Sequence, residues 1–372
     1  MMELNIGPHH PSTCGFRIKL FVEGEKIIKA ELMIGYIHKG IEKIFENLNY
    51  IQGMILSHKI DNISPFSGSF SYVLAFEKLL DIQIPLRAQY IRVIISEFSR
   101  ISSHLFWLGT FLNNLGFYLP SIFALRERER LNNLIEEVIP KGTLYLRIGG
   151  VARDLPSGWM ERTLDFLEDF EKKVYQIEKT VYDNEFFILR TKDIGIINID
   201  LALELSLTGP VLRGCGVAWD IRKVFPYSSY DNFDFKIPVG EKGDCYDRFF
   251  VRMEEIKESI KIIRQAIKNL PEGEIIAKDL DIIPPKTIPH FKVIAEGINI
   301  KEGEVYSSIE SPRGEFGFYI VSKNSTKPHR VRIRSPSFYN LQVLEYILPG
   351  NSISDSIIII GSLDVSPFEV DR

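Results

Sequence analysis

Residues 101–125 contain no Asp, Glu, Lys or Arg, and this uncharged run restricts the possible folds more than any other feature of the chain. A run of this length could cross a bilayer, which requires about 20 apolar residues. However, Asn113-Asn114 and Pro120 interrupt it, and it continues a helical pattern that begins at Pro85 and carries four charged residues before position 101. A buried helix in a large domain explains the run better, so any membrane contact would be made through a partner.

The composition is that of a large globular protein. The chain has 372 residues, of which 45% are hydrophobic and 25% are charged, so it can bury a large core. Its net charge of -4 and its pI near 6.1 give no case for nucleic acid as a partner. The first residues lack the basic and apolar regions of a secretory signal. Three cysteines, at positions 14, 215 and 245, form no Cys-x-x-Cys pair, which argues against a disulfide framework and for a reducing compartment.

Hydrophobic periodicity predicts helices in the centre of the chain and strands near both ends. Apolar residues alternate with polar ones in 16–23 and 27–34, which predicts a β-hairpin turned at Gly24. Apolar residues recur at helical spacing in the segments 38–58, 67–80, 85–115, 121–138, 155–183 and 244–270. Further strands are predicted at 304–309, 315–322 and 329–334, and short helices at 341–347 and 354–360.

These elements predict an α+β protein with a central helical bundle and a small antiparallel sheet near each end. We divide it into an N-terminal β-hairpin with its loop (1–36), a mainly helical core (37–273) and a C-terminal part with a sheet and short helices (274–372). Residues 274–300 contain three prolines and are predicted to form a surface excursion.

Two irregular loops carry residues suited to binding. Residues 5–16 contain two prolines, two glycines and two adjacent histidines, and residues 58–66 form a second loop between helical segments. The prolines fix φ and remove backbone donors, while the glycines allow tight bends. The first loop is therefore either a finger aimed at a ligand or a cap on the sheet, with His9 and His10 hydrogen-bonded within it.

Seven short motifs occur in the order in which one known family has them. The first motif reads Gly-Pro-His-His-Pro-Ser-Thr and occupies residues 7–13. Each motif alone is weak evidence for the family, but the set of seven is specific. The motifs lie at 7–13, 34–43, 87–93, 126–129, 147–151, 243–248 and 369–372. Over essentially its whole length the chain resembles the hydrogenase-derived large subunit of the peripheral arm of complex I, the NADH-quinone oxidoreductase.

The resemblance implies the fold of nickel-iron hydrogenase large subunits, which hold their metal with two Cys-x-x-Cys pairs because thiolates are soft, strongly donating ligands. The matching positions here are Asp61, Ser64, Ser366 and Glu369. The resemblance therefore implies a chain that binds no metal and has no hydrogenase activity.

The segment 214–216 begins like a dinucleotide-binding loop, but the third glycine of that motif is missing. NADH, if it is the electron donor, is therefore expected to bind to another subunit.

In the family, the emptied metal site is a quinone headgroup site next to a small subunit with a four-iron cluster, and a flavin lies in a further subunit. The resemblance implies a chamber built from loops 7–15 and 58–66, with quinone at the surface and no cofactor bound by the chain itself. The candidates for the quinone chamber are His10, Thr13, Cys14, Asp61, Asn62, Phe66 and Asn114. The candidates that face the cluster are Lys39, Lys59, Gly142 and Arg147.

Five of these positions differ from the family. The family has a histidine that donates a hydrogen bond to the quinone, and this chain has Cys14 at that position. The family's second donor, a tyrosine, is replaced by Asn62, and the aspartate that pairs with the histidine is replaced by Asn114. Near the cluster, an arginine is Lys59 and a histidine is Gly142. A thiol with a pKa of about 8.5 delivers a proton at neutral pH less readily than a histidine with a pKa of about 6.5. We therefore expect a retained chamber with altered quinone chemistry.

The expected function is that of a peripheral-arm subunit that forms a wall of the quinone chamber and couples electron transfer to ion translocation. Its expected partners are the iron-sulfur small subunit, a neighbouring peripheral-arm subunit, a membrane-arm subunit and quinone. Its expected location is peripheral, at the cytoplasmic face of the cell membrane or on an equivalent organellar membrane. The alternative is a structural coupling subunit of a related complex, fed by ferredoxin or another donor, without a working quinone site.

Three further interpretations concern residues outside the chamber. His38 and His104 are interpreted as satisfied core histidines on helices. The alternating arginines and glutamates of 126–130 are interpreted as a salt-bridge cluster or a subunit contact. Cys215 and Cys245 are expected to be buried and inert.

Overall fold

The computed structural model describes residues 2–13, 15–140, 142–277 and 295–372. Cys14 and residues 278–294 of the predicted surface excursion lie outside the described residues. Within them, the predicted α+β architecture is confirmed, with helices in the middle and a three-stranded antiparallel sheet near each end.

The described strands are β1 (Met2–Ile6), β2 (Arg17–Glu23), β3 (Lys26–Met33), β4 (Leu146–Arg147), β5 (Gly150–Val151), β6 (Gly303–Ser311), β7 (Gly314–Ser322) and β8 (Arg330–Arg334). The helices that precede β6 are α1 (Ile41–Phe45), α2 (Tyr50–Ser57), α3 (Pro65–Leu79), α4 (Leu86–Asn114), α5 (Tyr118–Val138), α6 (Trp159–Tyr182), α7 (Glu185–Thr191), α8 (Ile199–Glu204), α9 (Gly209–Gly214), α10 (Ile221–Val224) and α11 (Cys245–Lys268). The helices that follow β8 are α12 (Pro336–Leu341), α13 (Leu344–Ile347), α14 (Ile353–Leu363) and α15 (Pro367–Val370).

The N-terminal sheet has the order β1-β2-β3 and is antiparallel throughout. Strands β2 and β3 are the predicted hairpin. Strand β1 was not predicted, and its pairing of Asn5 with Lys19 and Ile6 with Ile18 shortens the loop that we placed at 5–16. The reason is that β1 is a short edge strand: Met2, Leu4 and Ile6 alternate with polar residues, but the pattern covers only five residues and none of them is fully buried.

Helix α4 is the central helix of the fold and packs against both α5 and α11. The uncharged run is divided between α4 and α5 by a turn at Gly116, whose φ is 84°. Its α4 part is largely buried, as predicted, whereas Tyr118, Leu119 and Ile122 of α5 are exposed.

Three charged residues of α4, Arg92, Glu97 and Arg100, are buried as well, and each has a charged partner. The buried His104 ring lies 2.9 Å from Glu255 Oε2. No helix in the described part of the chain is both long and apolar enough to cross a membrane.

The single helix predicted at 38–58 is wrong, because the structure has two short helices there. Asn49 begins the second of them: its side chain accepts hydrogen bonds from the backbone N–H groups of Ile51 and Gln52, and the Gln52 side chain accepts from the Asn49 N–H. This reciprocal cap fixes a start in the middle of the periodic pattern. His38 is exposed in the loop before α1, so the core interpretation holds for His104 and fails for His38.

The C-terminal sheet has the order β6-β7-β8 and packs against α3. Its β6–β7 turn, Pro312-Arg313, is held from several sides. Arg100 of α4 donates to the carbonyl oxygens of Glu310 (2.6 Å) and Ser311 (3.1 Å), and Asn340 of α12 donates to the carbonyl oxygen of Arg313 (3.2 Å). The turn therefore presents the Arg313 side chain from a fixed position.

The two described cysteines, Cys215 and Cys245, are buried and form no disulfide. Burial raises the pKa of the Cys215 thiol to about 11, and it also raises the pKa of Cys245. A thiol of this kind stays protonated at neutral pH and is a poor nucleophile. The prediction that both cysteines are buried and inert agrees with this environment.

Candidate functional site

The second predicted loop is folded around the carboxylate of Asp61. Its Oδ1 accepts from the backbone N–H of Ile63 (3.1 Å) and its Oδ2 from that of Ser64 (3.0 Å), so the carboxylate closes the turn that carries Asn62. Ser64 then leads into α3, which has Pro65 at its first position, where the missing N–H costs nothing. Ser64 Oγ also lies 3.0 Å from Ser99 Oγ on α4. The loop is thereby fixed to two central helices.

Asp61 is also part of a buried cluster centred on the guanidinium of Arg313. Nη1 of Arg313 lies 2.7 Å from Asp61 Oδ2 and 3.4 Å from Glu369 Oε1, and Nε lies 3.6 Å from Asp364 Oδ1. Ser366 Oγ donates to the other oxygen of Asp61 (3.0 Å). Three carboxylates thus share one cation in the absence of bulk water. Burial and the nearby charge of Asp61 raise the pKa of Glu369 to about 8.

The four positions that the resemblance assigns to the hydrogenase metal ligands come together in this cluster. Asp61 and Glu369 contact Arg313, while Ser64 and Ser366 both donate to Asp61. Among the described residues, no group of three or more His, Cys, Asp or Glu side chains is arranged to hold a metal ion. Within the cluster the positive charge is supplied by a guanidinium.

A cavity of about 420 Å³ lies between α3, α4, α5 and the segment that follows α5. We call it the α3–α5 cavity. Three of the predicted site residues line it, namely Asn62, Phe66 and Gly142. Its walls combine apolar side chains, such as Ile95, with a few polar groups. The cavity therefore joins the 58–66 loop, predicted to face the quinone, to a position predicted to face the cluster.

The remaining candidates lie elsewhere. His10 Nδ1 accepts from the N–H of Ser12 (3.2 Å), and the His10 carbonyl oxygen accepts from the N–H of Thr13 (3.0 Å), so these two candidates hold their own loop together. Lys39 is exposed, with its ammonium 5.6 Å from the centre of the Phe368 ring. Cys14 lies outside the described residues.

Asn114 is not brought to the cavity. It ends α4 and approaches Gly361 of α14, about 22 Å along the helix from Ser99, which lines the cavity. Lys59 is exposed and Arg147 folds back onto the carbonyl oxygens of Leu144 (2.8 Å) and Leu146 (3.0 Å). The described residues thus bring together part of the predicted site and separate the rest.

The motif at 147–151 has a structural explanation. Arg92 and Glu77 form a buried two-point ion pair, and Arg92 Nη2 also donates to the carbonyl oxygens of Arg147 (3.0 Å) and Gly150 (2.8 Å). Glu77 in turn accepts from the N–H of Gly149 (2.7 Å). The ion pair therefore fixes the hairpin of β4 and β5 that continues the cavity wall.

Four charged or titratable residues of the cavity were missed in the sequence, namely His58, Arg128, Glu136 and Tyr145. His58 lines the cavity and its Nδ1 lies 3.3 Å from Ser69 Oγ. Burial, and secondarily the charge of Lys59, lower the pKa of His58. Arg128 also lines the cavity, and burial lowers its pKa. His58 could have been found, because it opens the loop that already contained four candidates.

Arg128 could not have been separated from its neighbours by motif alone. Arg126 and Arg130 both pair with the buried carboxylate of Glu127, as the salt-bridge interpretation of 126–130 predicted. Arg128 instead donates to the carbonyl oxygen of Ser102 (3.2 Å) and stacks on Phe106, with its guanidinium carbon 5.0 Å from the ring centre. The direction in which each arginine points from the α5 axis decides whether it pairs with Glu127 or lines the cavity.

Comparison with known proteins gives a consistent result. The family model described as "Respiratory-chain NADH dehydrogenase, 49 Kd subunit" matches residues 114–372. A D-type subunit of the NADH-quinone oxidoreductase of Methylacidiphilum infernorum is 46% identical over 99% of this chain and 91% of its own length. The D-type subunits of the same enzyme from Koribacter versatilis and Geotalea uraniireducens are 44% and 42% identical over 100% of this chain, and over 96% and 99% of their own lengths.

Proposed function

Since the chain belongs to the 49 kDa subunit family of respiratory-chain NADH dehydrogenase, and is thus a subunit of an NADH-quinone oxidoreductase, we propose that its α3–α5 cavity is part of the quinone chamber of that complex. The observation that carries the proposal is the meeting of Asn62 and Phe66 with Gly142 in one cavity. These residues come from two segments that are about 80 positions apart in the sequence.

The size and lining of the cavity support a quinone headgroup as its ligand. A volume of about 420 Å³ falls within the usual range for small-molecule sites, which are mainly apolar with a few placed polar groups. Phe66 and Ile95 offer apolar contacts for a ring, while the amides of Asn62 and Asn132 can hydrogen-bond quinone oxygens. Neither amide can serve as an acid.

The proposal extends to the surroundings of the cavity. Electrons reach the quinone from a four-iron cluster in the neighbouring small subunit, with the flavin in another subunit and a membrane-arm subunit beside the chamber. Exposed Asn62, Lys59 and Gly142 leave a polar surface on which a partner can close the cavity. The subunit is peripheral at the cytoplasmic face and couples quinone reduction to ion translocation. The gathering of Asp61, Ser64, Ser366 and Glu369 supports a fold shared with hydrogenase large subunits.

The proposal can be tested by introducing a phenyl side chain that occupies part of the cavity. In the assembled complex, Asn132→Phe should raise the KM for decylubiquinone about tenfold or more, because it fills space that the headgroup needs. Asn133→Phe is the matched control, since the neighbouring residue on α5 is exposed. The measurement is NADH-driven reduction of decylubiquinone, with hexacyanoferrate(III) as an acceptor that does not require a headgroup site.

Two outcomes would contradict the proposal. If both variants reduce decylubiquinone like the wild type, the cavity is not the quinone site. If the wild-type complex reduces hexacyanoferrate(III) but not decylubiquinone, the chain is a structural coupling subunit without a working quinone site, as the replacements at Asn62 and Asn114 would allow.

A further inference from the structure

We propose that His58 is the catalytic proton donor to the quinone in this chain and that it acts through Nε2 from the wall of the α3–α5 cavity. The inference rests on the proposed function and extends it to a residue that none of the family motifs contains. It is carried by the position of the ring, by the hydrogen bond that orients it and by the groups around it.

The position of His58 is suited to a headgroup in the cavity. It is the only histidine among the described residues that line the cavity, and it lies on the same loop as Asn62. The side chain is half-buried, so one edge of the ring packs into the protein while the cavity remains accessible to solvent and ligand. A proton donor must come within hydrogen-bond reach of the reacting oxygen, and a wall residue meets this requirement.

The hydrogen bond to Ser69 decides which nitrogen titrates. The Ser69 hydroxyl donates to the carbonyl oxygen of Pro65 (3.4 Å), and it lies 3.3 Å from His58 Nδ1. A hydroxyl has a single hydrogen; when it is donated to the Pro65 carbonyl oxygen, Nδ1–H donates to Ser69 Oγ and Nε2 carries the lone pair of the neutral ring. Nε2 makes no hydrogen bond to any described residue. The free nitrogen is therefore the one that gains and releases a proton.

Two cationic groups near the ring favour release of that proton, namely its chain neighbour Lys59 and Arg128 of α5, which lines the same cavity. The other titratable side chains that line the cavity are Glu136 of α5, whose negative charge opposes release, and Tyr145 in the segment that follows α5. Burial, followed by the charge of Lys59, holds the pKa of His58 below its ordinary 6.5. The imidazolium is thus a stronger acid than free histidine, and the positive charges of Lys59 and Arg128 attract the anion that forms when the quinone is reduced.

The proposed step uses only what the complex supplies. Two electrons from the iron-sulfur subunit reduce the quinone, and the Nε2–H bond of the His58 imidazolium breaks as an O–H bond forms on one quinone oxygen. The second proton of the quinol comes from water. Neutral His58 then regains its proton from solvent through the cavity, so no further reactant is consumed.

The test compares two acceptors in the assembled complex. His58→Gln should lower the rate of decylubiquinone reduction about 10²-fold or more, the usual loss for a positioned acid, while reduction of hexacyanoferrate(III) is unchanged because that acceptor takes up an electron without a proton. In the wild type, the rate with decylubiquinone should rise as the pH falls, with a midpoint below 6.5. His58→Gln should abolish this dependence, and added imidazole should restore part of the rate of His58→Ala.

His329→Gln is the matched control, because His329 is exposed beside β8 and should behave like the wild type. If His58→Gln keeps the rate and the pH profile of the wild type, His58 is not the donor. Equal losses with both acceptors, without rescue by imidazole, would show a structural role and would also overturn the inference. A wild-type complex that reduces hexacyanoferrate(III) but not decylubiquinone would contradict the proposed function itself, and the inference with it.

Discussion

At residue 313, one guanidinium has to balance the buried carboxylates of Asp61, Asp364 and Glu369. A buried carboxylate without a counter-charge is costly, so the cluster keeps a proton instead. Burial and the charge of Asp61 raise the pKa of Glu369 to about 8, which makes it the group that retains the proton near neutrality. The Ser335 and Ser337 hydroxyls satisfy its oxygens.

Glu369→Gln should therefore change the pH dependence of stability. A carboxyl whose folded-state pKa is raised contributes stability that is fully present below its unfolded value of 4.5 and is lost as the pH rises towards 8. Glutamine resembles the protonated form, so the variant should lose less unfolding free energy than the wild type over this range. The measurement is denaturant unfolding at several pH values, with the exposed Glu302→Gln as control. Identical slopes for wild type and Glu369→Gln would contradict the assignment.

At the scale of single elements, periodicity located the long helices because burial of one face decides them. The prediction 85–115 became Leu86–Asn114, and 244–270 became Cys245–Lys268. The sequence failed where a side-chain contact overrides the period, as at the Asn49 cap, or where an edge strand is too short for its alternation to be distinctive, as in β1. Such elements depend on local hydrogen bonds or on a neighbour, which hydrophobic spacing does not record.

Asn49→Ala should destabilise the protein by about 1 kcal/mol, because two N–H groups at the start of α2 lose their acceptor. Chemical denaturation measures the difference in unfolding free energy. Asn133→Ala, an exposed change within α5, is expected to be close to neutral. An Asn49→Ala protein as stable as the Asn133→Ala protein would show that the cap does not limit stability.

For the whole molecule, the site was only partly predictable. The resemblance selected Asn62, Phe66 and Gly142, which share the cavity, but it also selected Asn114, which the length of α4 carries about 22 Å away from Ser99. His58 was missed because the comparison with the family selected only positions that correspond to known functional residues or motifs of the family, and His58 is not one of them. Which residues meet across a cavity is decided by helix packing, and one sequence does not contain that information directly.

The fold also bears on membrane attachment. Because the α4 part of the uncharged run packs against α5 and α11 inside the fold, washing membranes with alkaline carbonate should release the chain once its partner subunits are dissociated. The measurement is the distribution of the chain between supernatant and pellet, with an integral membrane protein of the same complex as the retained control. Retention of the chain in lipid without any partner would mean that the uncharged run of 101–125 enters the membrane.

The cluster around Arg313 has a consequence for the biosynthesis of the protein. It joins Asp61 to Arg313 and Glu369, so a nascent chain cannot complete it until residue 369 has left the ribosome. Until then, the loop that carries Asn62 is held by its own turn and by the contact of Ser64 with Ser99, but it lacks the hydrogen bond from Ser366 to Asp61. Translation itself thus delays completion of the cluster, and a prematurely terminated chain would lack it.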